Sequence, residues 1–364
     1  MDDNAMTEKG KMSQSDEALH IPRLYEFLRT HLDRTVDSTD FSVERFPQGY
    51  SNLTYLLHFG QQELVLRRPP IGANVKSGHD MAREYKLLTN LYPIYPKVPR
   101  ALLYSDDLSI LGAPFYIMER VKGVIIQKEP PAGTTLSPTL IEQLSRAFVD
   151  NMVVIHGLDY TKTDLKSFAR SGSYVERQIT GWLDRYAKAK TDDLPTVERV
   201  GRWLADHSVS DSSSSLIHND YKYDNLMLDA SDLSRIVAVL DWEMATIGDP
   251  LMDLGTTLAY WIQADDPAEL QAASMGITHW PGNFSRSQLV HEYALRSGRE
   301  VKNIVFYYVY GLFKNIVLIQ QIYARYKKGV ASDPRFGQLP RLIEAEGIAA
   351  VQAIEKNRID QLTI

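Results

Sequence analysis

No cysteine occurs among the 364 residues, which excludes disulfide scaffolds, thiolate metal sites and cysteine nucleophiles. The absence fits a reducing compartment, and the cytoplasm is the expected location. Long apolar runs are missing too. The most apolar stretch, 304–326, is interrupted by Lys314 and Asn315 and is rich in tyrosine. A membrane span needs about 18 or more mostly uncharged apolar residues, so this stretch reads as a buried helix and no membrane role is expected. Positive charge is not in excess: 40 Lys and Arg against 46 Asp and Glu leave a formal net charge of −6, which argues against a nucleic-acid partner. The opening residues, MDDNAMTEKGKMSQSDEA, are polar and acidic without an apolar core. No secretory signal is expected from them, and 1–17 reads as a disordered lead-in.

What is present is the composition of a globular protein, 44% hydrophobic and 24% charged, in a chain longer than one typical core. Apolar spacing predicts a first helix over 16–33. Three strand-like runs follow, FSVERF, LTYLLHF and ELVLRR, separated by PQGYSN and GQQ, short gaps that read as hairpins. A helix over 78–91 and strands at 100–105 and 114–121 complete an α+β sheet lobe over 18–121. Beyond VKG (121–123) helices dominate, over about 137–157, 173–190, 194–207, 250–264, 285–297, 300–327 and 338–357. The strand-like pieces there are 226–228 and IVAVLD, which ends at Asp241. The expected second lobe is 122–364. SDSSSS, 210–215, is the sole low-complexity patch and reads as a loop.

The chemistry concentrates in LIHNDYKYDNLMLD, 216–229. His218, Asp220, Lys222 and Asn225 stand in the order H-x-D-x-K-x-x-N, and Asp241 follows at the end of an apolar run. A turn cap explains any one of these residues better than chemistry does. The fixed spacing with a second acid after a strand reverses that judgement. The pattern resembles the catalytic loop and metal-binding aspartate of the protein-kinase-like fold, in which one Asp accepts the substrate hydroxyl proton while an Asn and a second Asp hold magnesium. Magnesium takes oxygen ligands, commonly one or two carboxylates with phosphates. The resemblance makes Asp220 the base, Lys222 a point charge near the transferring phosphate, and Asn225 and Asp241 the metal ligands. His218 reads as a buried brace of the loop.

The same resemblance asks for a phosphate-covering hairpin, a cation on the third strand and an acid on the next helix. FPQGYSNLTY offers Gly49, Ser51 and Asn52, although a plain turn explains this single-glycine loop equally well. In ELVLRR the alternation puts Val65 and Arg67 on one face, with Arg67 where the pattern has lysine. Glu84, in MAREYKLL, is the candidate partner of Arg67. Backbone groups from Glu119 to Val121, in the linker YIMERVKG, are placed to bond a purine edge.

LIHNDYKYDNLML followed by VLDWEMATIGDPLMDLG resembles the aminoglycoside-phosphotransferase (choline-kinase-like) family, in particular the branch of kinase-like domains of the acyl-CoA dehydrogenase 10/11 type. The resemblance covers roughly 20–330. It implies a bilobal protein-kinase-like fold, ATP and magnesium as cofactors, and transfer of a phosphoryl group to a hydroxyl of a small molecule, with a hydroxyacyl-CoA or hydroxy acid as the suggested acceptor. It also implies a functional link to acyl-CoA dehydrogenases, although no flavin dehydrogenase domain is present in these residues. Departures matter. Arg67 replaces lysine, DWE replaces D-F-G, and no A-P-E follows, which disfavours a protein kinase. Arg67 and the glycine-poor loop keep a second reading open, a nucleotide-binding pseudokinase or scaffold without phosphotransfer. Asp249, Asp253 and His156 read as structural. Tyr260, Trp261, Tyr307, Tyr308 and Tyr310 are either core or the lining of the acceptor pocket.

Overall fold

Alternation with a period of two decides which face each strand side chain takes, and the central strands of the first sheet carry buried residues on both faces. The computed structural model describes residues 19–32, 37–46, 52–70, 80–130, 133–274, 276–331 and 333–362. The expected lead-in over 1–17 lies outside them. Two compact units are present: the described residues up to Lys86 with Ala101–Arg120, and Leu87–Arg100 with Val121 onward.

In the first unit α1 (Ile21–His31) precedes β1 (Phe41–Arg45), β2 (Leu53–Phe59) and β3 (Gln62–Arg68); then come α2 (Met81–Leu91), whose last turn belongs to the second unit, β4 (Ala101–Ser105), the single turn α3 (Leu108–Leu111) and β5 (Phe115–Glu119). The five strands pair antiparallel in the order β1-β2-β3-β5-β4. Tyr55, Leu57 and Phe59 of β2, Leu64 and Leu66 of β3 and Phe115 and Ile117 of β5 alternate onto one face. Leu24 and Leu28, one turn apart on α1, are fully buried against them. Burying one such leucine contributes about 1.5–3 kcal/mol, and this helix carries two. Arg68 shares that face and donates to the Leu111 carbonyl at 2.8 Å. Val65 and Arg67 turn to the opposite face, where Val65 pairs with Met118 and Arg67 with Tyr116.

The second unit holds α4 (Pro138–His156), α5 (Tyr174–Ala189), α6 (Pro195–Asp206), β6 (Ser215–Ile217), β7 (Leu226–Leu228), β8 (Ile236–Val239), β9 (Thr246–Gly248), α7 (Pro250–Tyr260), α8 (Ala268–Ala273), α9 (Arg286–Ser297), α10 (Ile304–Lys327) and α11 (Leu339–Lys356). β6 pairs with β9 and β7 with β8, two short antiparallel ribbons. Most helix starts are capped by the residues the sequence supplies. Ser137 accepts from Leu140 N–H on α4, Ser173 from Glu176 N–H on α5, and Ser285 with Gln288 forms a reciprocal box on α9. α7 and α10 cross at glycines: a Cβ on Gly311 would stand 2.2 Å from the Gly255 carbonyl oxygen, and one on Gly255 2.1 Å from that of Tyr307. Only hydrogen lets the two backbones approach so closely.

Several expected boundaries shift. α1 begins at Ile21 rather than 16. α10 begins at Ile304 rather than 300, because Asn303 sits in the left-handed region with φ 55°. α7 stops at Tyr260 rather than 264, and the Gln263 N–H turns instead to the Asp266 carboxylate at 2.7 Å. The ribbon β6–β9 and the short helices α3 and α8 were not expected at all.

Candidate active site

The loop after β6 is built on a left-handed residue. Leu216, Ile217 and His218 are fully buried, and the chain reverses at Asn219, φ 60°. Asparagine tolerates that conformation better than most residues. Its side chain is fixed as well: Nδ2 donates to the Tyr174 hydroxyl at 3.0 Å and to the Met244 carbonyl at 3.1 Å. Asp220 therefore leaves the turn in a defined direction. Its carboxylate Oδ2 accepts from Asn225 Nδ2 at 2.9 Å and lies 3.3 Å from Lys222 Nζ. Asn225 Nδ2 also donates to the Asp220 backbone oxygen at 2.9 Å.

His218 ties the loop to the strand that precedes Asp241. Nε2 bonds the Leu240 carbonyl at 2.9 Å, and Nδ1 accepts from the Asp220 N–H at 3.2 Å. One ring nitrogen donates and the other accepts, which is the neutral tautomer. Burial pushes the His218 pKa down and favours that same neutral form. Beneath it, Asp253 Oδ2 accepts from the His218 N–H at 2.8 Å and contacts His156 Nε2 at 3.1 Å. Burial works against the Asp253 charge, but the bond from His156 and the nearby imidazoles hold its carboxyl below the ordinary range. His156 Nδ1 bonds the Tyr293 hydroxyl at 2.8 Å. Asp249 caps α7 through the Leu251 N–H and also accepts from the Ser212 hydroxyl, each at 2.7 Å. Asp249, Asp253 and His156 thus brace the loop from within the fold.

The β7–β8 ribbon sets Asn225 beside the approach to Asp241. Its register Leu226↔Val239 continues one step, as the Leu240 N–H donates to the Asn225 carbonyl at 2.8 Å. Asn225 and Asp241 leave the ribbon at the same end, and Asp241 turns there in the left-handed region with φ 62°. Because Asn225 Nδ2 is committed twice to Asp220, its amide oxygen is the atom directed elsewhere, and among the described residues it has no hydrogen-bond donor. A neutral amide oxygen with a carboxylate is a hard-oxygen pair suited to magnesium, which keeps waters and substrate phosphates as its remaining ligands. Among the described residues no group of three or more His, Asp or Glu is assembled for a metal.

The charges around Asp220 are coupled. Lys222 reaches Asp220 at 3.3 Å and Asp224 at 3.7 Å, and its ammonium stands 5.0 Å from the centre of the Tyr260 ring. Burial alone would lower the Lys222 pKa, but the charges of Asp220 and Asp224 outweigh it and raise it. Burial raises the Asp224 carboxyl, with Lys222 opposing. Burial and the Asp220 charge raise the Tyr260 phenol well above its ordinary range.

In the first unit Arg67 Nη1 donates to Glu84 Oε1 at 2.7 Å. The two side chains are 12% and 2% exposed, so this is a buried pair rather than a surface one. Val65 is buried beside them and Asn52 is buried at the start of β2, whereas Gly49 and Ser51 lie outside the described residues. Glu119 is the exposed last residue of β5, and the chain passes from one unit to the other between Arg120 and Val121.

The aromatic candidates divide. Trp261, Tyr307, Tyr308 and Tyr310 are 0–2% exposed and belong to the core, the first of the two readings their sequence left open. Trp261 spends its indole N–H on the Phe284 carbonyl at 2.8 Å. Tyr260 alone is half-buried and adjoins the loop. Two neighbours of the loop carried no functional reading beforehand: Asp224, adjacent to a motif residue, and Lys314, almost a hundred positions downstream.

A model of the APH phosphotransferase enzyme family matches residues 42–282. The chain is 32% identical over 303 residues to mouse acyl-CoA dehydrogenase family member 10, covering 83% of this chain and 28% of that protein. It therefore spans less than a third of that relative's length. Among solved structures, one described as an aminoglycoside phosphotransferase from Ralstonia eutropha JMP134 superposes with a TM-score of 0.75 at 26% identity, covering 91% of this chain and 98% of that one. Choline kinase from Cryptosporidium parvum shares the fold with a TM-score of 0.62 at 12% identity, covering 93% and 97%. The chain belongs to the APH phosphotransferase enzyme family, small-molecule phosphotransferases on an α+β protein-kinase-like fold.

Proposed function

We propose that this protein transfers the γ-phosphoryl group of ATP to a hydroxyl of a small molecule, with a hydroxyacyl-CoA or a hydroxy acid as the acceptor class. The observation that carries the reading is the Asp220 carboxylate, held at Oδ2 by Asn225 Nδ2 at 2.9 Å and by Lys222 Nζ at 3.3 Å. Asp220 accepts the proton of the incoming hydroxyl. Lys222 places positive charge next to it, where charge spreads over the transferring group. Asn225 and Asp241 hold magnesium, which supplies charge neutralisation on the phosphate oxygens when bound. Arg67, paired with Glu84, supports the α- and β-phosphates together with Asn52. Val65 and the backbone from Glu119 to Val121 receive the base of the nucleotide.

The acceptor class rests on the branch to which the chain is similar. The same similarity supports a functional link to acyl-CoA dehydrogenases, since the relatives that share this segment carry that name and are much longer. In the test, ADP release is followed over a panel of hydroxy acids and hydroxyacyl-CoAs, with ³¹P NMR of the product. Wild type should form a phosphate ester, and Asp220→Asn should lose about 10²- to 10⁴-fold in turnover while still binding MgATP, the size of a lost general base. Nucleotide binding with no ADP formed on any acceptor favours the pseudokinase reading. An undiminished rate in Asp220→Asn removes that residue from the mechanism.

A further inference from the structure

α10 is almost wholly apolar where it meets the rest of the second unit, yet it carries one cation inward. Lys314 is 1% exposed, and its Nζ donates to the Asn219 backbone carbonyl at 2.7 Å. That carbonyl belongs to the peptide joining Asn219 to Asp220. The other end of the same peptide, the Asp220 N–H, donates to His218 Nδ1 at 3.2 Å. Both polar ends of the plane preceding Asp220 are thus tethered by side chains, one from the loop and one from a helix remote in sequence. The left-handed turn at Asn219 gives that plane no partner from regular backbone pairing, so its hydrogen bonds come from these two side chains.

We infer that Lys314 is a positioning residue for the Asp220 carboxylate, fixing the peptide plane that aims it and setting a buried positive charge beneath it. The inference rests on the reading of Asp220 as the base. An uncapped buried carbonyl alone calls only for a neutral donor; a full ammonium in the interior is expensive unless negative charge faces it. Asp220 faces Lys314 from the loop and Asp253 from α7, while Lys222 of the loop and Arg185 of α5 oppose them. α11 contributes Glu346, bonded to the neighbouring Asn315. The Trp182 ring of α5 stands 6.0 Å from the ammonium. Burial pushes the Lys314 pKa down to about 8, so the charge is present below that pH and is lost as pH rises through it.

Lys314→Met and Lys314→Arg, measured in the full chain, test the inference. Amide hydrogen exchange over 216–225 needs no turnover. Lys314→Met should exchange faster there than wild type, and Lys314→Arg should keep much of the protection. In phosphoryl transfer, Lys314→Met should lose about tenfold or more in kcat, a lost charge-assisted hydrogen bond, with the KM for ATP little changed. Wild-type turnover should fall above about pH 8, and Lys314→Arg, which keeps its charge, should hold its rate to higher pH. Wild-type exchange and turnover in Lys314→Met overturn the inference. If that variant fails to fold, an alkaline fall identical in wild type and Lys314→Arg overturns it. A wild-type rate in Asp220→Asn counts against the base assignment instead, and the exchange readout still decides whether Lys314 holds the loop.

Discussion

Asn225 gives both hydrogens of its amide to Asp220, one to the backbone oxygen and one to Oδ2, each at 2.9 Å. A single side chain therefore aims the proposed base and, by elimination, aims its own oxygen at the proposed metal. Asn225→Asp separates the two jobs. It keeps an oxygen ligand for magnesium but exchanges two hydrogen bonds for a second carboxylate against Asp220. MgATP binding should persist while turnover falls about 10- to 100-fold, the loss of a hydrogen bond to a charged group. Paired binding and turnover measurements check this; loss of binding with no further loss in turnover contradicts it.

Arg67 stands where the family pattern has lysine, and its pairing with Glu84 at 2.7 Å is buried. Losing a charge-assisted hydrogen bond in a part-buried setting costs about 1.5–3 kcal/mol. Glu84→Ala should destabilise the protein by that order in chemical denaturation and weaken nucleotide binding. Wild-type stability in the variant would show that the pair is dispensable.

Glu346 on α11 accepts from Asn315 Nδ2 through Oε1, while its Oε2 is buried with no partner among the described residues. Burial raises its pKa from 4.5 to about 8, with Asn315 opposing. A folded-state pKa above the unfolded one favours the fold while the group is protonated in both states. That contribution is full below about pH 4.5 and is lost as pH rises to about 8. Glu346→Gln keeps the bond to Asn315 without the titration. The variant should match wild type near pH 5 and exceed it near pH 8 in denaturation midpoint. A constant difference across that range contradicts the account.

The parts of this fold that were legible in the sequence are those encoded by local period or fixed spacing. ELVLRR alternates, and Val65 and Arg67 duly share a face of β3. His218, Asp220, Lys222 and Asn225 lie within eight consecutive positions, so one loop brings them together whatever surrounds it. What was hidden depends on chain segments meeting across the second unit. β6 and β9 have three residues each, too few to show a period, and pair across the whole intervening stretch 218–245. Tyr307, Tyr308 and Tyr310 look like a pocket wall in one dimension, yet α10 is buried all round over 306–314 and takes them into the core. Lys314 and Glu346 interrupt apolar helices for reasons visible only once Asn219 and Asn315 stand opposite them.

The central claim is a magnesium-dependent nucleotide site that uses Asp241. Calorimetric titration with ATP, with and without magnesium, on wild type and Asp241→Ala tests it most directly. Magnesium-dependent binding by wild type that weakens in Asp241→Ala is the predicted result. Binding that is indifferent to both magnesium and the substitution would contradict the account.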